Sequence, residues 1–300
     1  MQSLKSVTTK HIAILYSPFS GNGKGRKLVH ILGEILGQNN IPYTPFENEW
    51  PDNFQNYDLI CLCGGDGTFN YFVNKYSKTS VPLFLLPGGT GNDFYWNLYG
   101  KKTASEQIQS IVDYATQKQT IEPRHVDVAY CKIDNSKIFY YLNSAGLGFD
   151  GEVLKKMKAI RSIGGHLGYL LTVIKVILQF KEPEYEITYK GKTIHGKFTI
   201  INMANSPRTG GGFLISPEAS SFDQQLNLLY CYVPSIFSRL SILSAVEKGK
   251  HIRNKKVVYL PTEHVVIKAR QSVFSQLDGE LIEGREYEIG LSDRKLDIIC

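Results

Sequence analysis

Cysteine is scarce in this 300-residue sequence: Cys61, Cys63, Cys131, Cys231 and Cys300 are odd in number and scattered. Cys61 and Cys63 form C-x-C inside an apolar run, and no second pair completes a zinc-ligand spacing. A disulfide framework and a structural zinc are both disfavoured, and a reducing, cytoplasmic compartment is expected. Long hydrophobic runs are missing as well. The N-terminal stretch offers only Ile12–Tyr16 before Ser17-Pro18, too short for a signal-peptide core, so a mature cytosolic start is expected. The most lipid-like segment, Leu167–Phe180, is broken by Lys175 and stops short of the ~20 apolar residues a spanning helix needs. No internal repeat and no low-complexity tract occurs. Charge of one sign is not dominant: the formal net charge is +6, which favours anionic partners such as nucleotides or phospholipid headgroups. The basic residues are not interleaved with an aromatic platform, which argues against nucleic acid. One cluster stands out, Lys248, Lys250, His251, Arg253, Lys255 and Lys256. It reads as a solvated segment or as a contact with an anionic membrane surface.

What is present is a globular composition, 42% hydrophobic and 21% charged, in a chain long enough for two cores. The first part alternates buried strands and helices. Ile12–Tyr16, Leu59–Cys63 and Val81–Leu86 are continuous apolar runs; Arg26–Gln38, Phe69–Tyr76 and Ile108–Gln117 carry helical spacing, and a further strand falls near Tyr43–Phe46. Unbroken apolar strands between helices predict a parallel sheet covered on both faces. After about residue 125 the texture changes to short alternating strands, at Asp127–Ile133, Ile138–Asn143, Tyr185–Tyr189, His195–Asn202, Leu226–Val233, Val257–Leu260, His264–Ala269, Tyr287–Leu291 and Lys295–Ile299. That pattern predicts an antiparallel sandwich or barrel, interrupted by a helical stretch over Gly151–Phe180. The expected fold class is therefore α/β in two domains. Residues 1–125 form an α/β nucleotide-binding domain and 126–300 a β-rich domain, with the C-terminal strand free to return to the first.

Two glycine-rich turns each follow a buried strand and precede a helix: Gly64-Gly65-Asp66-Gly67-Thr68 and Gly88-Gly89-Thr90-Gly91-Asn92-Asp93. Parallel sheets bind ligands beyond the carboxyl ends of their strands, where helix N-termini offer N–H groups to phosphate. The glycines allow close backbone approach to a polyphosphate, Thr90 adds a hydroxyl, and Asp66 and Asp93 are candidate Mg²⁺ ligands. A third loop, Ser20–Arg26, lacks the glycine and the Ser or Thr of a P-loop, though Lys24 stands at a helix start. Gly146-Leu-Gly148-Phe-Asp-Gly151 spells G-x-G-x-x-G, but no acid occurs between Glu152 and Glu182, so strand-to-helix packing is the better reading. Asp278-Gly279-Glu280 by itself is a turn.

In that order, Gly64–Asn70, Pro87–Phe94 and Asp278-Gly279-Glu280 resemble the diacylglycerol kinase catalytic-domain family, which includes soluble bacterial diacylglycerol kinases, YegS-like lipid kinases and the sphingosine and ceramide kinases. The likeness runs from about Ile12 to the C-terminus. It implies a three-layer α/β nucleotide domain like that of NAD kinases, a β-rich sandwich domain and an active site in the cleft. It implies ATP as phosphate donor, held by Gly64, Gly65, Asp66, Gly67, Thr68, Phe69 and Asn70, by Gly88, Gly89, Thr90, Asn92 and Asp93, and by Asn48 and Lys24. It implies Mg²⁺ at Asp66, Asp93 and Asp127, a structural metal at Ser220, Asp223 and Gln225, and Glu280 as general base with Asp278 beside it. Ser144–Phe149 matches the lipid-cavity lining. The sequence departs from the family at Ser17 for Asn, Tyr71 for an acid, Gln224 for Gly and Asn48 for Thr. The expected activity is phosphorylation of a lipid hydroxyl, with diacylglycerol as default and a sphingoid base, monoacylglycerol or phosphatidylglycerol open. A non-catalytic nucleotide- or lipid-binding regulator and a soluble-substrate kinase are the rival readings, and the oligomeric state, a homodimer included, stays open.

Overall fold

The computed structural model describes residues 10–76, 78–118, 121–159, 165–232 and 235–300, without the side chains of 159 and 165–170. The N-terminal start falls outside these residues, and the side chains of the lipid-like segment are described from Leu171 onward. The chain divides into two compact units: one holds the described residues as far as Val126 together with Arg294–Cys300, the other Asp127–Asp293.

The first unit is built on parallel strands. β1 (Ile12–Tyr16) leads through a glycine loop into α1 (Lys24–Gln38), then β2 (Tyr43–Glu47), β3 (Leu59–Gly64), α2 (Asp66–Tyr76), β4 (Leu83–Pro87), α3 (Asp93–Tyr99) and α4 (Ala104–Ala115). β1 pairs in parallel with β2 and β3, and β3 with β4. Every residue of β3 is buried, as a strand covered on both faces requires. On one face Ile12, Ile14, Leu32, Leu36, Phe84 and Ile111 form the core. The other carries an aromatic group in which Trp50 meets Tyr71 at 5.2 Å and Phe54 meets Tyr76 at 5.1 Å. The returning segment closes this sheet: Ile298 pairs with Leu83, Ile299 is fully buried, and Tyr99 Oη donates to the Ile299 carbonyl at 2.8 Å.

The second unit contains β5 (Arg124–Ile133, shared with the first), β6 (Lys137–Tyr141), β7 (Ser144–Gly148), α5 (Phe149–Ala159), α6 (Gly165–Gln179), β8 (Glu184–Tyr189), β9 (Lys192–Ala204), β10 (Leu226–Tyr232), α7 (Ile236–Val246), β11 (Val257–Thr262), β12 (His264–Leu277) and β13 (Glu280–Ile298). β9 and β12 are long, and each pairs with β8 by its first half and with β7 by its second. The closed circuit encloses Tyr185, Phe198, Met203, Ile267, Leu277 and Tyr287. The architecture is the two-domain α/β arrangement of the sequence reading, with three corrections. Two predicted C-terminal strands are one strand, β13; Ser144–Gly148 is a strand; and α3 and α7 are helices that the pattern did not mark.

Candidate functional site

In the first unit, the loops after β1, β3 and β4 lie at the carboxyl ends of neighbouring strands and interlock through glycine. A Cβ on Gly65 would stand 2.7 Å from Gly89 Cα, one on Gly89 2.3 Å from Gly65 Cα, and one on Gly21 2.2 Å from the Gly88 carbonyl oxygen. Gly88 N–H donates to the Gly64 carbonyl at 2.8 Å, and Ser20 Oγ donates to the Gly88 carbonyl at 3.3 Å. Most of these glycines therefore serve loop-to-loop packing. Gly67 differs: a Cβ there meets nothing within 4 Å, and the residue is exposed in the first turn of α2. Thr90, Gly91 and Lys24 are exposed too, whereas Gly64, Gly65, Gly88 and Gly89 are buried. Phe69 is buried against Phe94, ring centroids 6.3 Å apart, and the Asn70 carbonyl accepts from Asn74 Nδ2 at 2.9 Å. Thr68 folds over Gly64, where a Cβ would come within 2.3 Å of its Oγ1. Asn48 is exposed past the end of β2 with φ 60°, its N–H donating to the Tyr16 carbonyl at 3.2 Å.

Asp66 and Asp93 are brought together by backbone. Asp66 Oδ2 accepts from Asp93 N–H at 3.1 Å and Oδ1 from Phe94 N–H at 2.9 Å, so this carboxylate satisfies the first amides of α3. Asn92 closes the loop on itself, its Oδ1 accepting from Gly89 N–H at 2.9 Å and its Nδ2 donating to the Gly89 carbonyl at 3.0 Å. Among the described residues no group of three or more His, Cys, Asp or Glu converges on a point. A pair of acids beside an exposed glycine turn suits Mg²⁺, which binds through one or two carboxylates plus substrate phosphates.

The remaining candidates lie in the second unit. Asp127 is buried and tied to the Ser220–Gln225 turn: its Oδ2 accepts from Gln224 N–H, and its own N–H donates to the Ser221 carbonyl, both at 2.8 Å. Within that turn Asp223 Oδ1 accepts from Gln225 N–H at 3.0 Å, and Ser220 Oγ from Phe222 N–H at 3.3 Å. Gln224 sits at φ 59°, the left-handed backbone that a glycine would take at no cost. Asp278 and Gly279, at φ 48° and 88°, make the two-residue turn joining β12 to β13. The buried Asp278 carboxylate accepts from the N–H groups of Leu142, Asn143 and Ser144 at 2.6, 2.9 and 3.0 Å. Asp278 thereby anchors the turn that presents Glu280, whose exposed carboxylate stands 3.6 Å from Lys158 Nζ on α5.

Two features escaped the sequence reading. Asp150, at the start of α5, lies so close to the Gly146 backbone that a Cβ there would fall 2.0 Å from its Oδ2. Burial pushes this carboxyl up to about 6, against a 3.5 Å hydrogen bond from Asn202 Nδ2. Its signal was an acid directly after the Gly146–Phe149 run. Beside it opens a pocket of about 300 Å³, lined by Gly148, Val176, Phe180, Pro183 and Phe274, with Lys156 among its polar residues.

Comparison with known proteins accords with this geometry. Residues 11–122 match the diacylglycerol kinase catalytic domain, and residues 143–299 match the YegS C-terminal NAD kinase beta sandwich-like domain. The chain belongs to the diacylglycerol kinase family. Similar proteins include "Putative lipid kinase SAR0780" of Staphylococcus aureus strain MRSA252, 29% identical over 77% of this chain and 76% of that protein. A "Putative lipid kinase" of Staphylococcus epidermidis strain ATCC 12228 is 24% identical over 81% of this chain and 76% of its own length. The crystal structure of a "putative diacylglycerol kinase" from Bacillus anthracis str. Sterne shares the fold at 20% identity, with a TM-score of 0.74, covering 100% of this chain and 97% of that one. Family membership makes this chain a lipid-kinase-type transferase. No helix of the described residues is long and apolar enough to cross a membrane.

Proposed function

We propose that this member of the family transfers the γ-phosphoryl group of ATP to a hydroxyl of diacylglycerol, yielding phosphatidic acid. The observation that carries the reading is the exposure of Gly67 and Thr90 on two interlocked loops that also carry Asp66 and Asp93. Buried glycines hold three loops rigidly in place, while Gly67 alone in the second loop leaves open space for a phosphate. Lys24, Gly67 and Thr90 would hold the triphosphate, and Asp66 and Asp93 would hold its Mg²⁺. Bound Mg²⁺ supplies charge neutralisation at the β- and γ-phosphates.

Phosphoryl transfer asks the protein for positioning and a proton acceptor more than for covalent chemistry. Glu280 is suited to take the hydroxyl proton because its carboxylate is exposed, and Asp278 fixes the turn that carries it. The open pocket lined by Val176, Phe180 and Phe274 supplies apolar surface for acyl chains, consistent with an α6 that lines their route. A lipid substrate also requires the protein to meet a membrane surface.

The test is incubation of the full chain with labelled ATP, Mg²⁺ and, separately, diacylglycerol, monoacylglycerol, a sphingoid base and phosphatidylglycerol. Label in phosphatidic acid supports the assignment; label in another lipid replaces the substrate, and label in none overturns catalysis in favour of a binding regulator. Glu280→Gln is expected to lower kcat by ~10²–10⁴-fold with ATP affinity unchanged.

A further inference from the structure

A helix packed on a core buries its large apolar side chains on one face, and α7 also carries several on the other. Phe237 is 85% exposed, and Ile236 and Leu240, one residue before it and three after, are 45% and 36% exposed. They sit at the N-terminal end of α7, where Ser235 caps the helix by accepting from Ser238 N–H at 3.4 Å. Tyr232, at the end of β10, is 47% exposed and donates its N–H to the Lys256 carbonyl at 3.1 Å. Lys256 Nζ in turn donates to Ser238 Oγ at 3.2 Å. One end of the second unit therefore carries two aromatic and two aliphatic exposed side chains, with Lys256 tied to the Tyr232 backbone and to Ser238 on the first turn of α7.

Lys255 and Lys256 are exposed beside this tip, and past the other end of α7 the chain carries exposed Lys248, Lys250 and Arg253, with Glu247 the single acid between α7 and β11. Inserting apolar side chains, a tyrosine at the water boundary and a basic rim are what an anionic bilayer surface selects. Neither half is explained by packing within the unit: the inner face of α7 already buries Ile242 and Val246 against Leu229 and Val257. A protein partner would need an apolar groove with acidic flanks; a bilayer containing anionic lipid supplies both terms at once.

We infer that the tip formed by Tyr232, Ile236, Phe237 and Leu240, with Lys255 and Lys256 at its rim, docks on an anionic phospholipid surface, Phe237 entering the headgroup–acyl boundary. This goes beyond the kinase reading and does not depend on it. Burial of a phenylalanine raises partitioning by about ten- to a hundredfold, and each lysine near an anionic surface adds about fivefold, weakened by salt.

The experiment is sedimentation of the full chain with vesicles of phosphatidylcholine, with and without phosphatidylglycerol, and without nucleotide. Wild type is expected to bind the anionic vesicles. Phe237→Ser should weaken that binding about tenfold or more at both low and high salt. Lys255→Gln with Lys256→Gln should remove part of the salt-dependent component, and Ile138→Ser, an exposed apolar change on β6, should leave binding intact. Phe237→Cys carrying a polarity-sensitive dye should show emission shifted to the blue on vesicles. Binding of Phe237→Ser equal to wild type, or an unshifted dye, overturns the proposal. A wild-type dimer that Phe237→Ser splits into monomers, seen by sedimentation equilibrium, overturns it in favour of a second copy of this chain. Vesicle binding without lipid phosphorylation leaves this inference standing and sinks the kinase assignment.

Discussion

Two glycines a few residues from each other in space answer to opposite demands. Gly89 has backbone where its Cβ would be, 2.3 Å from Gly65 Cα, so Gly89→Ala must push two loops apart. The expected cost is about 1–3 kcal/mol of unfolding free energy. Gly67 has open space, and Gly67→Ala in the first turn of α2 should leave stability unchanged or slightly raised. Its added methyl stands where phosphate would approach, so ATP affinity should fall while the melting temperature holds. Thermal unfolding and titration calorimetry on the two variants separate a packing glycine from a ligand-facing one. Asp150 poses a different question at the same scale. An ordinary carboxyl protonates near 4, and burial raises this one to about 6. The folded state thus binds the proton more tightly than the unfolded chain. Its stabilising share is complete below about pH 4 and is lost as pH rises through 6. Asp150→Asn removes the ionised form and should be more stable than wild type at pH 8, by at most ~3 kcal/mol. The gap should narrow toward pH 5. Urea unfolding at the two pH values checks it, and a gap independent of pH would show that Asp150 is well solvated.

Among elements, α7 is tied to the end of α6 by Arg239 as well as by the packing of Leu243. Arg239 Nη1 donates to the carbonyls of Ile177 and Phe180 at 3.1 and 3.2 Å, and its Nη2 pairs with Glu182. Both charged side chains are about one-tenth exposed. The arginine meets the last carbonyls of a helix, where positive charge is favoured, and removing it strands a buried carboxylate. Arg239→Met should therefore cost about 3–5 kcal/mol by denaturant unfolding. A loss under about 1 kcal/mol would mean that water replaces it. The elements most legible in the sequence were those buried on both faces. Ile12–Tyr16 and Leu59–Cys63 read as strands because every position is apolar. α7 was invisible because its outward face carries Ile236, Phe237 and Leu240, which erases the contrast that marks an amphipathic helix. α3 was hidden because its start depends on Asp66, a residue 27 positions away. β7, Ser144–Gly148, went unmarked as a strand because glycine occupies two of its five positions. At the candidate site, the glycines and acids were plain from the motifs. Which glycines pack loop against loop and which stay exposed was not, since that depends on loops meeting from three separate strands.

At the scale of the whole molecule, the first unit is assembled from two stretches of chain. Arg294–Cys300 belong to it, although all of the second unit's sequence lies between them and Val126. Ile298 pairs with Leu83, Ile299 fills the core, and the Ile299 carbonyl receives the buried Tyr99 hydroxyl. A chain ending at Asp293 should keep the second unit's strands and lose stability in the first. Hydrogen exchange should then show faster exchange at β4 and α3, with β8 to β10 little changed. Uniform protection across both units in the shortened chain would refute that division.

The returning strand also fixes an order of events during synthesis. The ribosome finishes β4 long before it makes β13, so for most of elongation Leu83–Pro87 is a sheet edge without its neighbour. The first half of the chain cannot lock into its final form as it emerges, in contrast to the usual N-terminal-first sequence. It has to wait for residues made after more than 160 others that belong elsewhere. A nascent chain stalled anywhere in that interval presents an open, strongly apolar strand. Such a strand is the kind of surface that chaperones shield, and the yield of intact protein is expected to fall where that shielding is withdrawn.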